Sequence, residues 1–286
     1  MRIEAITPVI GATISGADLG NARDIDNLKE ALWEHQVVVM RDQPELAPQE
    51  QVALGRAFGE LHMHPAAPQM DGYPEVFVIH ADEHSKIANG NGWHTDVSCD
   101  EQPPLATILQ LHTVPPAGGD TLFASMVAAF ETLTPAMQAF LASCSARHES
   151  EHIYRGRYAQ RGVDDTGRAY PSAIHPVVRT HPQSGRQALY VNPSFTTCIE
   201  GLHPSESRAM LSMLFKHQQR AEFQMRLTWQ KNTIAIWDNR CTQHFALWDY
   251  WPQTRSGRRV TVLGERPIFH PGRFIQRKMR LSSARL

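Results

Sequence analysis

Residues 107–124 read TILQLHTVPPAGGDTLFA, and this stretch most clearly indicates a β fold. Two runs rich in apolar and β-branched residues, Thr107–Val114 and Thr121–Ala124, flank the segment PPAGGD. Proline fixes φ and glycine supplies positive φ, so this segment is typical of a hairpin or a corner between strands. The stretch therefore predicts two strands separated by a tight turn.

Further strands and helices follow on either side of this stretch. Short apolar runs bounded by turn residues predict strands at 37–40, 75–80, 174–179, 187–191, 222–229, 233–237 and 259–263. Apolar residues at helical spacing predict helices over 24–35, 48–58, 134–141 and 204–219. We expect a mainly β fold, an antiparallel double-sheet barrel of jelly-roll type with flanking helices.

Composition and charge restrict the classes of function. The 28 basic and 29 acidic residues nearly cancel, so no extended positive field attracts DNA or an acidic membrane, and neither partner is expected. The sequence shows no basic, apolar leader and no apolar run long enough for a bilayer, which predicts a cytoplasmic protein. Because no repeat or low-complexity linker interrupts residues 1–286, we expect one domain, and the four scattered cysteines are expected to be reduced.

A candidate metal motif lies at residues 93–96, which read WHTD. On an extended segment, His94 and Asp96 would point to the same face, where one ion could contact both side chains. A third ligand from a distant strand would complete the two-histidine, one-carboxylate set of non-haem Fe(II) enzymes, and His244 is our candidate. Such a set leaves coordination positions for a bidentate 2-oxo acid and O2.

Arginines follow the third candidate ligand at residues 255, 258 and 259, next to the apolar run VTVL. A guanidinium group can bind the distal carboxylate of 2-oxoglutarate through two parallel charge-assisted hydrogen bonds. The alternative explanation is a solvated basic turn without a ligand. The sequence alone leaves both explanations open.

These motifs resemble the family of taurine dioxygenase and 2,4-dichlorophenoxyacetate dioxygenase over nearly the whole chain, with the taurine branch closest. The resemblance is carried by the stretches at residues 11–19, 58–62, 93–96, 118–121, 175–182 and 236–244. It implies a double-stranded β-helix core, cupin-like, with helices outside. It also implies Fe(II), 2-oxoglutarate as co-substrate and O2.

The resemblance places His94, Asp96 and His244 at the iron-ligand positions. It places Thr121 and Arg259 at the positions that contact the 2-oxoglutarate carboxylate, with Arg255 as a second contact. Relatives commonly assemble as dimers or tetramers, so a homo-oligomer is expected by resemblance.

The substrate positions depart from the taurine pattern. The resemblance assigns six of them, namely His64, Val97, Phe195, Tyr154, Ala67 and Gly90. His64 and Phe195 match residues that contact the sulfonate and close the pocket. Ala67 and Gly90 stand where taurine enzymes carry the tyrosine and the asparagine that hold the amine, so taurine itself is disfavoured.

We therefore expect a dioxygenase that hydroxylates the carbon next to an anionic group, in an alkyl sulfonate or sulfate ester bulkier than taurine, and that releases succinate and CO2. The alternatives within this class are taurine dioxygenase itself and an aryloxyalkanoate dioxygenase. The alternatives of other classes are a non-catalytic β-barrel that binds an anion or a metal, and a zinc hydrolase that uses the same ligands without O2.

Overall fold

The computed structural model describes residues 1–68, 70–159 and 162–271, and strands dominate it. The strands are β1 (Arg2–Ala5), β2 (Ala12–Ser15), β3 (Val37–Met40), β4 (Phe77–Ala81), β5 (Ala106–Thr113), β6 (Thr121–Ser125), β7 (Ser145–Glu149), β8 (Ser172–Pro176), β9 (Val178–Thr180), β10 (Gln187–Leu189), β11 (Thr196–Ile199), β12 (Gln224–Leu227), β13 (Ile234–Asp238), β14 (Thr242–Ala246) and β15 (Arg255–Val262). The helices are α1 (Ala22–His35), α2 (Pro48–Phe58), α3 (Met126–Glu131), α4 (Pro135–Ala142), α5 (Glu151–Tyr154) and α6 (Pro204–Gln218). A 3-10 turn spans Ala221–Phe223.

The major sheet has the strand order β1-β2-β3-β13-β5-β15-β4, and all its pairs are antiparallel except β2 with β3. A second sheet of three antiparallel strands, β12-β6-β14, faces it, and two smaller sheets, β11-β7-β8 and β10-β9, complete the strand framework. The fold is thus of jelly-roll type, as the sequence predicts.

Two layers of core lie on the two faces of the major sheet. Val38 and Ile236 point outward and pack with residues of helices α1 and α2, such as Leu28 and Val52. Val37 and Val39 point inward and join the side chains of the facing three-stranded sheet. Because β3 is buried on both faces, its sequence is an uninterrupted apolar run.

The predicted elements are largely confirmed, but one predicted strand is divided and several elements were not predicted. Helix α2 and strand β3 have the predicted bounds. The run predicted at 174–179 divides at Val177 into β8 and β9. Strands β1, β2, β7, β11 and β14 and the short helices α3 and α5 were not predicted.

Strand β15 begins at Arg255 rather than at Arg259, and this difference matters for the site. Arg255 and Arg259 are both buried on its inward face, while Arg258 is half-buried on the other face. The explanation of this segment as a solvated basic turn is therefore wrong. In the part of the chain that the model describes, all four cysteines are unpaired, and no helix has the length and apolarity needed to span a bilayer.

Candidate active site

His94 and His244 lie directly opposite each other on two neighbouring extended segments. The backbone N–H of His94 donates to the carbonyl of His244 at 3.1 Å, and the N–H of His244 donates to the carbonyl of His94 at 2.8 Å. Opposed residues of an antiparallel pair project their side chains to the same face. The two imidazole centroids are accordingly 4.1 Å apart, although the residues are distant in sequence.

Asp96 brings a carboxylate to the same point. Its Oδ1 lies 3.8 Å from His94 Nε2, and one ligand atom from each of Asp96, His94 and His244 lies within 4.8 Å of the others. The predicted extended geometry holds at His94 but not beyond it, because the chain turns at Asp96 and Val97 has a φ of 46°. This left-handed backbone is strained for a β-branched residue, and the turn aims the carboxylate at the imidazoles.

The protonation states suit a divalent metal. His94 Nδ1 donates to the carbonyl of Gly92 at 2.8 Å, which leaves the lone pair on Nε2, the nitrogen nearer Asp96. Burial lowers the pKa of His94 and lowers that of His244 well below its usual value, so both rings are neutral. Burial alone would raise the pKa of Asp96, but the Arg259 guanidinium, helped by the Thr107 hydroxyl, holds it well below its usual range. Two neutral imidazoles and one carboxylate fit non-haem Fe(II).

A chain of hydrogen bonds holds the Asp96 carboxylate in place. Thr107 Oγ1 donates to Asp96 Oδ2 at 2.7 Å and accepts from Asn239 Nδ2 at 2.9 Å. Asn239 Oδ1 accepts in turn from Trp237 Nε1 at 3.0 Å. Asp96 Oδ1 faces His94 and accepts from Arg259 Nη1 at 2.8 Å. The sequence did not indicate Thr107 or Asn239, because each acts through a neighbour.

Replacing Thr107 with valine tests this chain of hydrogen bonds. Valine keeps the shape but removes the donor to Asp96, so we expect the affinity for Fe(II) to fall roughly 10- to 100-fold, as for other partners of metal ligands. Anaerobic titration with Fe(II) measures it. Thr197→Val, on the exposed part of β11, is the matched control and should leave the affinity unchanged. Equal affinities in Thr107→Val and the native protein would contradict the role.

The ligand set opens into a cavity of about 180 Å³. Eleven of the twelve residues predicted for the metal, the 2-oxoglutarate and the substrate line it, and Ala67 does not. The sequence left open whether Trp237 lines the pocket, and it did not predict the other lining residues, which are Phe77, Ile79, Asn89, Asn91, Gly92, Leu109, Ile153, Arg157, Tyr158, Ser194, Trp229 and Ala246. Trp237 is thus both a wall of the cavity and a donor to the chain of hydrogen bonds that ends at Asp96.

One cationic cluster joins Thr121, Arg255 and Trp229. Arg255 Nη2 donates to Thr121 Oγ1 at 3.4 Å and Arg255 Nε to the carbonyl of Gly119 at 3.0 Å, while the guanidinium carbon lies 5.6 Å from the Trp229 ring centre. Trp229 Nε1 also donates to Thr121 Oγ1, at 2.9 Å. Burial lowers the pKa of Arg255 to about 10. Within the described residues this buried cation forms no ion pair, so it is suited to an anionic ligand.

A second cluster joins His64, Phe77 and Arg259. The His64 ring stacks on Phe77 at 5.3 Å, and the Arg259 guanidinium carbon lies 4.9 Å from the centre of the Phe77 ring. His64 Nδ1 accepts from the backbone N–H groups of Ala66 and Ala67, at 3.1 and 2.9 Å. Burial, with the nearby Arg259 charge, lowers the pKa of His64 to about 3. His64 is therefore neutral with its proton on Nε2, as a hydrogen-bond donor.

The two positions that depart from the taurine pattern behave differently in the structure. Ala67 does not line the cavity, and its backbone N–H donates to His64 Nδ1. Gly90 does line the cavity, with a φ of 79°, and an added Cβ would lie 3.3 Å from Cε1 of His94. Asn89 and Asn91 line the cavity on either side of Gly90, so amide groups remain there. Tyr154 and Tyr158 also line the cavity, so phenol and amide groups border it at positions other than 67 and 90.

His181, Asp238 and Cys241 form another buried group with metal-ligating atoms close together. Asp238 Oδ1 accepts from Arg240 Nε at 2.9 Å, and Oδ2 accepts from Arg240 Nη2 at 2.6 Å and from His181 Nε2 at 2.9 Å. Both carboxylate oxygens are thus occupied by a buried ion pair. These hydrogen bonds give the group a structural explanation that needs no metal.

Comparison with known proteins agrees with this geometry. The model of the family described as taurine catabolism dioxygenase TauD, TfdA family matches residues 2–262. The chain is 34% identical to an alpha-ketoglutarate-dependent sulfonate dioxygenase of Saccharomyces cerevisiae, over 94% of this chain and 68% of that one. It is also 34% identical to an alpha-ketoglutarate-dependent sulfate ester dioxygenase of Pseudomonas putida, over 94% of this chain and 91% of the relative.

Among solved structures, a taurine dioxygenase from Burkholderia xenovorans superposes with a TM-score of 0.81 at 33% identity, covering 95% of this chain and 92% of that one. The range matched by the family model, residues 2–262, includes both segments that carry the candidate ligands. The chain belongs to the TauD, TfdA family of 2-oxoglutarate-dependent dioxygenases.

Proposed function

We propose that the chain oxidises the carbon next to the sulfonate or sulfate group of an organic anion larger than taurine. The observation that carries this proposal is one cavity that is lined by a two-histidine, one-carboxylate set and by two clusters that each contain a guanidinium group. The chemistry requires two anions, a 2-oxo acid and a substrate, and each cluster offers a guanidinium group to one of them. The relatives named for sulfonates and sulfate esters support the choice of head group.

The Thr121–Arg255 cluster is the better site for the distal carboxylate of 2-oxoglutarate. Arg255 is 3% exposed and has no carboxylate partner among the described residues, whereas Arg259 already forms an ion pair with Asp96. A carboxylate bound here would accept from the Arg255 guanidinium and the Thr121 hydroxyl. This assignment moves the main contact from Arg259, predicted from the resemblance, to Arg255.

The His64–Arg259 cluster then receives the anionic head group of the substrate. Neutral His64 offers one N–H donor, and Arg259 offers positive charge shared with Asp96. Val97 and Phe195 pack beside this cluster in the same apolar group, with Tyr154 5.1 Å from the His64 ring. The head group is thereby fixed while the adjacent carbon faces the metal ligands.

When bound, Fe(II), 2-oxoglutarate and O2 supply the oxidation of a C–H bond, with release of succinate and CO2. The chain's own residues hold the two anions at fixed positions and surround the reacting carbon with apolar walls, among them Phe77, Leu109 and Phe195. A carbon that bears both a new hydroxyl and a sulfonate or sulfate group loses sulfite or sulfate and becomes an aldehyde.

The charge of the cavity is a second argument against taurine, beside the residues at positions 67 and 90. Among the described residues that line the cavity, Asp96 is the sole carboxylate, and the ion pair with Arg259 already engages it. The ammonium group of taurine would therefore be desolvated without a counter-charge. An alkyl tail meets no such penalty.

A substrate panel tests the proposed function. We expect hexyl sulfate and hexanesulfonate to give kcat/KM values at least about tenfold above taurine, measured by succinate release with Fe(II) and 2-oxoglutarate. Aldehyde and sulfite or sulfate should appear in equal amounts with succinate. A preference for taurine over both larger anions would refute the substrate assignment, and 2,4-dichlorophenoxyacetate tests the aryloxyalkanoate alternative.

Replacing His64 with leucine should affect the substrate rather than the co-substrate. The change removes one N–H donor to a charged group, so we expect the KM for hexyl sulfate to rise about tenfold while the KM for 2-oxoglutarate stays unchanged. His84→Leu, at an exposed histidine, is the control. If both KM values rose equally in His64→Leu, the division of the cavity into two anion sites would be wrong.

A further inference from the structure

Arg157 lies in the turn after helix α5 and lines the cavity, although no sequence motif marks it. Its Nε donates to Asn89 Oδ1 and its Nη2 to the carbonyl of Ala88, both at 3.2 Å. Both partners are neutral, and within the described residues Arg157 forms no ion pair. It is thus a third guanidinium at the cavity, with no compensating carboxylate.

The position of Arg157 relative to the metal ligands follows from the segment it holds. Gly90, next to Asn89, accepts from the backbone N–H of Ala246 at 2.9 Å, and Ala246 ends the strand that carries His244. An added Cβ at Gly90 would also touch the His94 ring. Arg157 therefore contacts residues 88 and 89, next to the Gly90 backbone that borders the His94 ring, whereas Arg259 contacts Phe77 and Asp96.

When the metal ion, 2-oxoglutarate and a monoanionic substrate are bound, the positive charges in the cavity exceed the negative charges by one. Arg157, Arg255, Arg259 and a divalent metal ion carry five positive charges. Asp96, a 2-oxoglutarate dianion and a substrate monoanion carry four negative charges. Since Arg157 is half-buried, water compensates its charge only in part, and a second anionic group on the substrate would complete the balance.

We infer that Arg157 binds a second anionic group on the tail of the substrate, so that the preferred substrate is a dianion. This inference rests on the proposed function, because the first anionic group is the sulfate or sulfonate held by His64 and Arg259. The second group is a carboxylate or another sulfonate, which a guanidinium binds through parallel N–H donors. The carbon next to the sulfur group then lies between the two anchored ends.

Pairs of esters that differ in one terminal group test the inference. The pairs are 6-sulfooxyhexanoate with hexyl sulfate and 4-sulfooxybutanoate with butyl sulfate, and succinate release gives kcat/KM for each. For the better-fitting length, we expect the dianion to exceed its monoanionic partner about tenfold in the native enzyme. Arg157→Gln should bring this ratio to one or below, because the carboxylate then enters the cavity without a partner.

Two further variants test whether the effect of Arg157→Gln comes from the lost charge or from a disturbed conformation of the turn. Arg157→Glu should reverse the preference and favour 6-aminohexyl sulfate over 6-sulfooxyhexanoate. Arg155→Gln removes the same charge two residues away, where the exposed Arg155 pairs with Glu151, and it should keep the native ratio. Calorimetric titration of the anaerobic protein loaded with Fe(II) and 2-oxoglutarate measures the dissociation constant of each ester without turnover. The ratio of dissociation constants within each pair should show the same preference.

The outcomes distinguish this inference from the proposed function. Turnover of the alkyl sulfates without a preference for either dianion, or with the same preference in Arg157→Gln, overturns the role of Arg157 and leaves the proposed function standing. No succinate with any ester or sulfonate overturns the proposed function, and this inference with it. Loss of the preference in Arg157→Gln, with reversal in Arg157→Glu, supports the inference.

Discussion

Asp96→Ala is expected to abolish substrate-dependent consumption of 2-oxoglutarate. The change removes one of three candidate ligands and leaves the guanidinium of Arg259 without its carboxylate partner at 2.8 Å. The loss of kcat/KM should exceed the roughly 100-fold that removal of a partner of a ligand can cost. Succinate release with hexyl sulfate measures it, and anaerobic Fe(II) titration shows whether metal binding fails as well.

The control for Asp96→Ala is Glu222→Ala, which removes an exposed carboxylate paired with Arg220. We expect this variant to retain native activity and native affinity for Fe(II). Native activity in the Asp96→Ala protein would contradict the assignment of Asp96 as a metal ligand. Activity that is equal with and without O2 would instead favour a zinc hydrolase built on the same ligands.

Arg255→Met is expected to raise the KM for 2-oxoglutarate by about 10- to 100-fold, because it removes charge-assisted hydrogen bonds to a carboxylate. Methionine keeps much of the apolar length of the side chain and its packing against Trp229, so the effect reports the loss of charge. At saturating 2-oxoglutarate we expect kcat to recover to within a few-fold of the native value. Initial rates over a range of 2-oxoglutarate concentrations measure both constants.

The matched control for Arg255→Met lies on the same strand. Arg258 is on the opposite face of β15 and donates to the carbonyl of Leu46 at 2.6 Å, outside the cavity. Arg258→Met should leave the KM for 2-oxoglutarate unchanged. If Arg259→Met raised this KM more than Arg255→Met did, the roles of the two arginines would have to be exchanged, as the resemblance originally implied.

The elements that the sequence predicted well are those in which burial and hydrophobicity coincide. Strand β3 is buried on both faces and reads VVVM, and helix α2 has proline at its first turn and apolar residues at helical spacing. Strand β14 was missed because its buried residues are Thr242, Gln243 and His244. A strand that is polar where it forms a site carries no hydrophobic alternation, so pattern reasoning fails there.

Within the site, the sequence predicted residues that form motifs and missed those that act through tertiary contacts. His94 and Asp96 stand two residues apart, which identifies a pair, whereas Thr107 and Asn239 reach Asp96 only after β5 and β13 pair. Arg255 packs against Trp229 and Arg259 against Phe77, and the sequence does not show these tertiary contacts. Arg157 has no neighbouring motif at all, and only the folding of its turn over Asn89 brings it to the cavity.

The short distance between position 90 and the His94 ring limits which substitutions can change the substrate specificity of the enzyme. Asparagine tolerates a left-handed backbone better than most residues, so the obstacle to placing it at position 90 is the imidazole 3.3 Å from its Cβ. Substituting asparagine for Gly90 to accept amine-bearing substrates would therefore displace the candidate metal ligand His94. Positions 89 and 91, which also border the cavity, are therefore where laboratory evolution should introduce diversity first.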